Sequence, residues 1–193
     1  MADATELFSK FKSWIATAES PRLGPQRRTG TATEEELTQR LTEFFAREKI
    51  SPHAQPLLRS AALLWHDHLD ASHTISQSIE TPEGSWLHGL MHRREPDYGN
   101  AKYWFRRVGQ HEAFPQLTER GRSVVASRER AVQQNSDGRA LTRCGSDDKW
   151  NPFAFIDEIE AAGQGKDEEI TAVLREIQAA EFDVLVEHIL SQA

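Results

Sequence analysis

The chain is short of several things. It has one cysteine, Cys144, in 193 residues, which excludes an intramolecular disulfide and any metal cage built from several thiolates. The setting Arg143-Cys144-Gly145 carries no thiol-enzyme signature, so Cys144 reads as an incidental thiol. No stretch approaches the roughly 18 consecutive apolar residues of a membrane-spanning helix. The opening residues Met1-Ala2-Asp3-Ala4-Thr5-Glu6 lack the basic and apolar regions of a secretory signal, so the cytoplasm is the expected compartment. Positive charge is scarce: 23 Lys and Arg face 30 Asp and Glu, for a net charge of -7. That field repels phosphate, so neither nucleic acid nor an anionic membrane is expected as a partner. What the chain does have is nine Phe and five Trp, enough bulk for a core in a polar sequence of mean hydropathy -0.63.

The periodicity is helical, with no useful strand-like alternation and no repeat of about 20–50 residues. Leu7, Phe8, Phe11, Trp14 and Ile15 mark a first helix near 4–17, and Ser20 to Pro25 cannot continue it. Thr33 with Glu36 spells a capping box. A third helix is expected from about 51–56 to Ile79, and a fourth begins at the Thr81-Pro82 cap and stops at Pro96. Asp97 or Asn100 opens a short aromatic helix closed by Gly109. A charged helix is expected near 115–133, then one capped by Asn151 and a last from Asp167 to Leu190. The expectation is a single all-α domain over 1–193, a bundle of about seven helices. It has an N-terminal helix and linker at 1–30, a helical hairpin at 56–95 and a polar surface loop at 135–150.

Five of the eight histidines lie between His66 and His92. Imidazole titrates nearest neutral pH and is the commonest metal ligand, so the clustering points to chemistry. Asp70, His73 and Gln77 share one helix face; His88, His92 and Glu95 share another. With the turn centred between Pro82 and Glu83, residues equidistant from it face each other: Asp70 with Glu95, His73 with His92, Gln77 with His88. Three readings stay open. His73, His88 and His92, with Glu95 or Asp70, bind a divalent metal such as Zn, Mn or Fe. Alternatively, Asp70 and Glu95 form a carboxylate pair acting with His73 or His92 as acid and base, with Gln77 in support. Or the stripe is a satisfied polar network inside a bundle.

From His92 to Arg107 five basic residues stand against two acidic ones, reversing the local field of an acidic chain. Arg93, Arg106 and Arg107 are therefore candidates for an anion-binding rim, since guanidinium captures carboxylate and phosphate bidentately; intrahelical pairing is the plainer reading. Tyr103, Trp104 and Phe105 read as core. On the last helix, Gln178, Glu181 and His188 give only a weak signal.

The block Asp67-x-x-Asp70-x-x-His73-x-x-x-Gln77, then Leu87-His88-Gly89-x-x-His92-Arg93-Arg94-Glu95-Pro96-Asp97-Tyr98, with Asn100, Lys102, Tyr103 and Trp104, resembles the signature of a family of uncharacterised bacterial and fungal proteins. Trp150-Asn151-Pro152-Phe153 and Gln178-x-x-Glu181 fit it too. The resemblance covers about half the chain. It implies where signature residues lie and supplies no reaction; His66, His68 and His111 fall outside it. The expectation from the residues is a metal-dependent hydrolase or related enzyme acting on a small anionic substrate. The alternative is a non-enzymatic module that binds a small molecule or partner in the same polar pocket.

Overall fold

Capping chemistry sets most of the helix starts. The computed structural model describes residues 4–128, 149–164 and 167–193, and nine helices order them. These are α1 (Ala4–Trp14), α2 (Glu34–Glu48), α3 (Ala54–Trp65), α4 (Leu69–Ser76), α5 (Pro82–Arg94), α6 (Tyr98–Val108), α7 (Phe114–Ser127), α8 (Pro152–Gln164) and α9 (Glu168–Ser191). Thr33 Oγ1 accepts from the Glu36 N–H while the Thr33 N–H donates to Glu36 Oε2, the reciprocal box the sequence spells. Thr81 accepts from the Gly84 N–H, with Pro82 in the first helical turn. Asp97, not Asn100, opens α6 by accepting from the Asn100 N–H at 3.1 Å. Asn151 and Asp167 cap α8 and α9 through their side-chain oxygens. Gly109 closes α6 at φ +66°, where L side chains are strained. The expected loop at 135–150, apart from Lys149 and Trp150, lies outside the described residues, as do 129–133 of the expected charged helix.

The fold is all-α among the described residues, but the helix count is nine where about seven was expected. The expected third helix is two, α3 and α4, broken at His66-Asp67-His68. No Gly or Pro causes the break. Asp67 takes a left-handed backbone, φ +66°, which Asp tolerates better than most side chains. Its buried carboxylate accepts from Arg28 Nε at 2.8 Å and from Arg94 Nη2 at 2.6 Å. His66 accepts from the Ala32 N–H and reaches the Ile15 carbonyl; His68 reaches the Ala32 carbonyl at 2.7 Å. The elbow thus holds the irregular segment after α1 by side-chain bonds to its backbone, a demand made by distant residues that helix periodicity cannot register.

One cluster of buried apolar side chains runs from Leu7 to Leu190. At its centre, every residue of α5 from Gly84 to Arg94 is buried. A helix buried on all sides can carry polar groups only if each meets a partner inside the protein. Besides Ser85 and the Trp86 indole, four ionisable side chains leave this stretch: His88, His92, Arg93 and Arg94. Where each goes defines the site.

Candidate functional site

The two arginines are committed to structure. Arg93 is fully buried, its guanidinium on Glu181 of α9 at 2.6 Å and over the Phe155 ring of α8. Glu181 accepts in addition from Trp86 Nε1 at 3.1 Å. Arg93 is therefore no part of an anion-binding rim: a buried carboxylate from the last helix claims its charge. Arg94 joins Asp67 and donates to the carbonyls of Leu64, Arg22 and Gly24. Removing one partner of such a pair strands a buried charge and costs about 3–5 kcal/mol.

The two histidines behave differently. His88 and His92, one turn apart on α5, bring Nε2 atoms within 3.0 Å of each other. His73 of α4 closes the group, its ring 4.7 Å from that of His88 and 5.3 Å from that of His92. The metal-binding atoms of the three lie within 4.8 Å of one another. Two zinc ligands at about 2.0–2.1 Å in tetrahedral array stand about 3.3 Å apart, close to the Nε2–Nε2 spacing found here. His88 and His92 are buried and His73 half-buried, so the group opens on the His73 side. Burial pushes the His88 imidazole down to about 3, and burial likewise lowers His92, so both are neutral lone-pair donors at neutral pH.

Nδ1 of His88 and Nδ1 of His92 are buried without a hydrogen-bond partner. The His92 atom lies 3.4 Å from Glu95 Oε2 and 4.0 Å from Asp97 Oδ2, too poorly aligned for a bond but close enough to orient the ring. Glu95 thus stands behind His92, away from the nitrogen that faces His88.

The mirror pairing along the hairpin is met only at its middle. The turn occupies 77–81 and α4 has eight residues, so the arms are offset from the expected register. Asp70 and Gln77, a turn either side of His73, are exposed, as is Glu95. A carboxylate pair needs desolvation to become an acid–base couple, and Asp70 and Glu95 lack it. Three imidazoles with exposed carboxylates outside them form a nitrogen-rich donor set. It suits Zn or Fe better than oxygen-preferring Mn.

Trp104, expected as core, is half-buried and stacks on His88, ring centroids 3.8 Å apart and planes at 16°. Exposed Arg107, one turn on, lies over the same indole at 5.2 Å. Arg107 is therefore linked to the three histidines through this indole, whereas Arg106 leans on Phe153 of α8. Gly89 makes the stack possible: a Cβ there would sit 2.9 Å from the Phe105 ring, so α5 and α6 approach only without one. The sequence signal for Trp104 was its i, i+3 spacing to Arg107, which reads equally well as an ordinary helix face.

A second group spaced to hold a metal ion is Glu83, His111 and His188. Its members are far apart in sequence, and only the fold joins them. No family model, curated protein or solved structure matches the chain, so the site is read from its own geometry.

Proposed function

We propose that His73, His88 and His92 hold a divalent metal, and that the protein is a metal-dependent hydrolase or related enzyme acting on a small anionic substrate. The convergence of three imidazoles, with the Nε2 atoms of buried His88 and His92 3.0 Å apart, carries this reading. Three protein ligands with an open side are the pattern of catalytic zinc, which supplies an activated water near neutral pH. Within that reading Glu95 orients His92. Arg107, its guanidinium 5.2 Å from the Trp104 ring, offers its charge to the anion. Zinc is the favoured ion, for the donor chemistry given above.

Metal analysis of protein purified without added metal tests this. We expect stoichiometric zinc or iron, lost in His92→Ala. Metal-free wild-type protein that takes up none on titration would overturn the reading. A non-enzymatic binding module is the second reading, favoured by one observation: Glu95 and Asp97 lie on the Nδ1 side of His92, away from the nitrogen facing His88. It predicts ligand binding without turnover of activated esters or phosphoesters.

A further inference from the structure

Glu83 opens α5, His111 lies in the link between α6 and α7, and His188 is in the last turn of α9. His111 is buried, packed edge-on against Trp86 at 4.9 Å, and Glu83 and His188 are half-buried. Glu83 Oε1 is 3.3 Å from His111 Nε2 and 3.3 Å from His188 Nε2. Both distances are long for a charge-assisted hydrogen bond, at about 2.7–2.9 Å, and match the tetrahedral edge of about 3.3 Å around zinc.

The protons can be placed from the neighbours. The Gln192 amide nitrogen lies 3.4 Å from Glu112 Oε1, where only an N–H donor is favourable, and 3.0 Å from His188 Nε2. A neutral His188 so placed accepts at Nε2 and carries its proton on Nδ1, 3.6 Å from Glu112. The Nε2 lone pair of His188 then stands 3.3 Å from an anionic oxygen. Two electron-pair donors at that distance repel unless a proton or a metal ion lies between them. Of the three, His188 also lines an open cavity of about 570 Å³ with Glu112, Gln116, Arg120 and Glu187, so the group is reached from that side. Arg120 does not oppose a cation there, since Glu187 pairs with it at 2.7 Å.

We propose that Glu83, His111 and His188 form a second divalent-metal site, a two-histidine, one-carboxylate set separate from the three-histidine group. One local contact must yield. The Ala113 N–H donates to His111 Nδ1 at 3.2 Å, so His111 moves its proton from Nε2 to Nδ1 on binding and releases that bond. The three-histidine group gives up the Nε2–Nε2 bond of His88 and His92, but its displaced proton moves to an Nδ1 with no bond to lose, whereas His111 Nδ1 must release Ala113, so this site fills second.

The test is a zinc titration of the full chain, stripped with a chelator and followed by calorimetry and elemental analysis. Wild type binds two equivalents, the second more weakly. Glu83→Gln and His188→Gln each lose the weaker equivalent and keep the tighter, while His92→Ala loses the tighter and keeps the weaker. Glu83→Gln preserves size and still accepts from His111, which guards against unfolding; zinc-dependent melting of His92→Ala supplies a second readout. A rise in melting temperature with zinc in His92→Ala, abolished by adding Glu83→Gln, supports the site. Unchanged zinc uptake in both Glu83→Gln and His188→Gln overturns it and leaves the three-histidine reading standing. Loss of zinc in those variants only, with His92→Ala unaffected, does the reverse.

Discussion

The elbow at His66-Asp67-His68 and the group His73, His88 and His92 draw on one stretch of 27 residues, and both are buried polar clusters. They treat their polar atoms in opposite ways. In the elbow, His66 meets backbone through both ring nitrogens, and Asp67 meets two arginines. In the three-histidine group, lone pairs converge on one point while two Nδ1 atoms go without partners. Most buried polar groups in a structural role are satisfied by the protein itself, though Nε and Nη1 of Arg93 are not, and each unsatisfied one costs about 1–3 kcal/mol. Residue type does not separate a structural histidine from a functional one. Where its ring nitrogens point does: to backbone in the elbow, to one another in the three-histidine group.

The comparison can be broken most severely at Asp67. Asp67→Asn keeps the left-handed backbone but leaves Arg28 and Arg94 buried against a neutral amide. We expect a loss of about 3–5 kcal/mol in urea unfolding. The double substitution His73→Leu/His92→Leu, equally buried in part, should melt no lower than wild type while losing metal, because apolar replacement of an incompletely satisfied network is often neutral or better. A double mutant that fails to fold would place the three histidines with the elbow.

Acid separates the regions next. Burial holds His66 down to about 4, while the unfolded chain protonates near the ordinary value of 6.5. The unfolded state therefore takes up the proton first as pH falls. The contribution is complete above about 6.5 and is lost as pH drops towards 4, in all on the order of 3 kcal/mol. His66→Gln should flatten that slope in pH-dependent unfolding. In metal-free protein His88 acts with the same sign and extends the loss towards about 3. Bound zinc should instead make acid sensitivity depend on metal concentration, since protons and metal compete for the same nitrogens.

Smaller effects sharpen the site. Gly89→Ala forces a methyl against the Phe105 ring and should cost about 1–3 kcal/mol. It should also lift Trp104 from His88, which tryptophan fluorescence with and without metal would report. Arg107→Ala should change stability by no more than about 0.5 kcal/mol, as an exposed cation, yet weaken phosphate binding to the metal-loaded protein. Arg106→Ala, on the same helix but leaning on Phe153, should leave that binding unchanged. Equal effects from the two would mean that the stack with Trp104 has no part in anion recognition.

What the sequence by itself determined is local. A cap is a contact between residues two or three apart, so Thr33 with Glu36, Thr81, Asn151 and Asp167 were legible without the fold. The approach of His88 to His92 follows from i, i+4 spacing, and His73 was placed near them by the short link between two helices. Tertiary structure decided the rest. It broke the expected third helix at Asp67, because Arg28 and Arg94 arrive there from 39 and 27 positions away. It took Arg93 out of the anion rim by setting Glu181 against it, and it made Trp104 part of the site through the close approach that Gly89 allows. It also gathered Glu83, His111 and His188, which no helical spacing relates. A charge looks the same in a sequence whether water or a buried counter-ion satisfies it, and only the path of the whole chain says which.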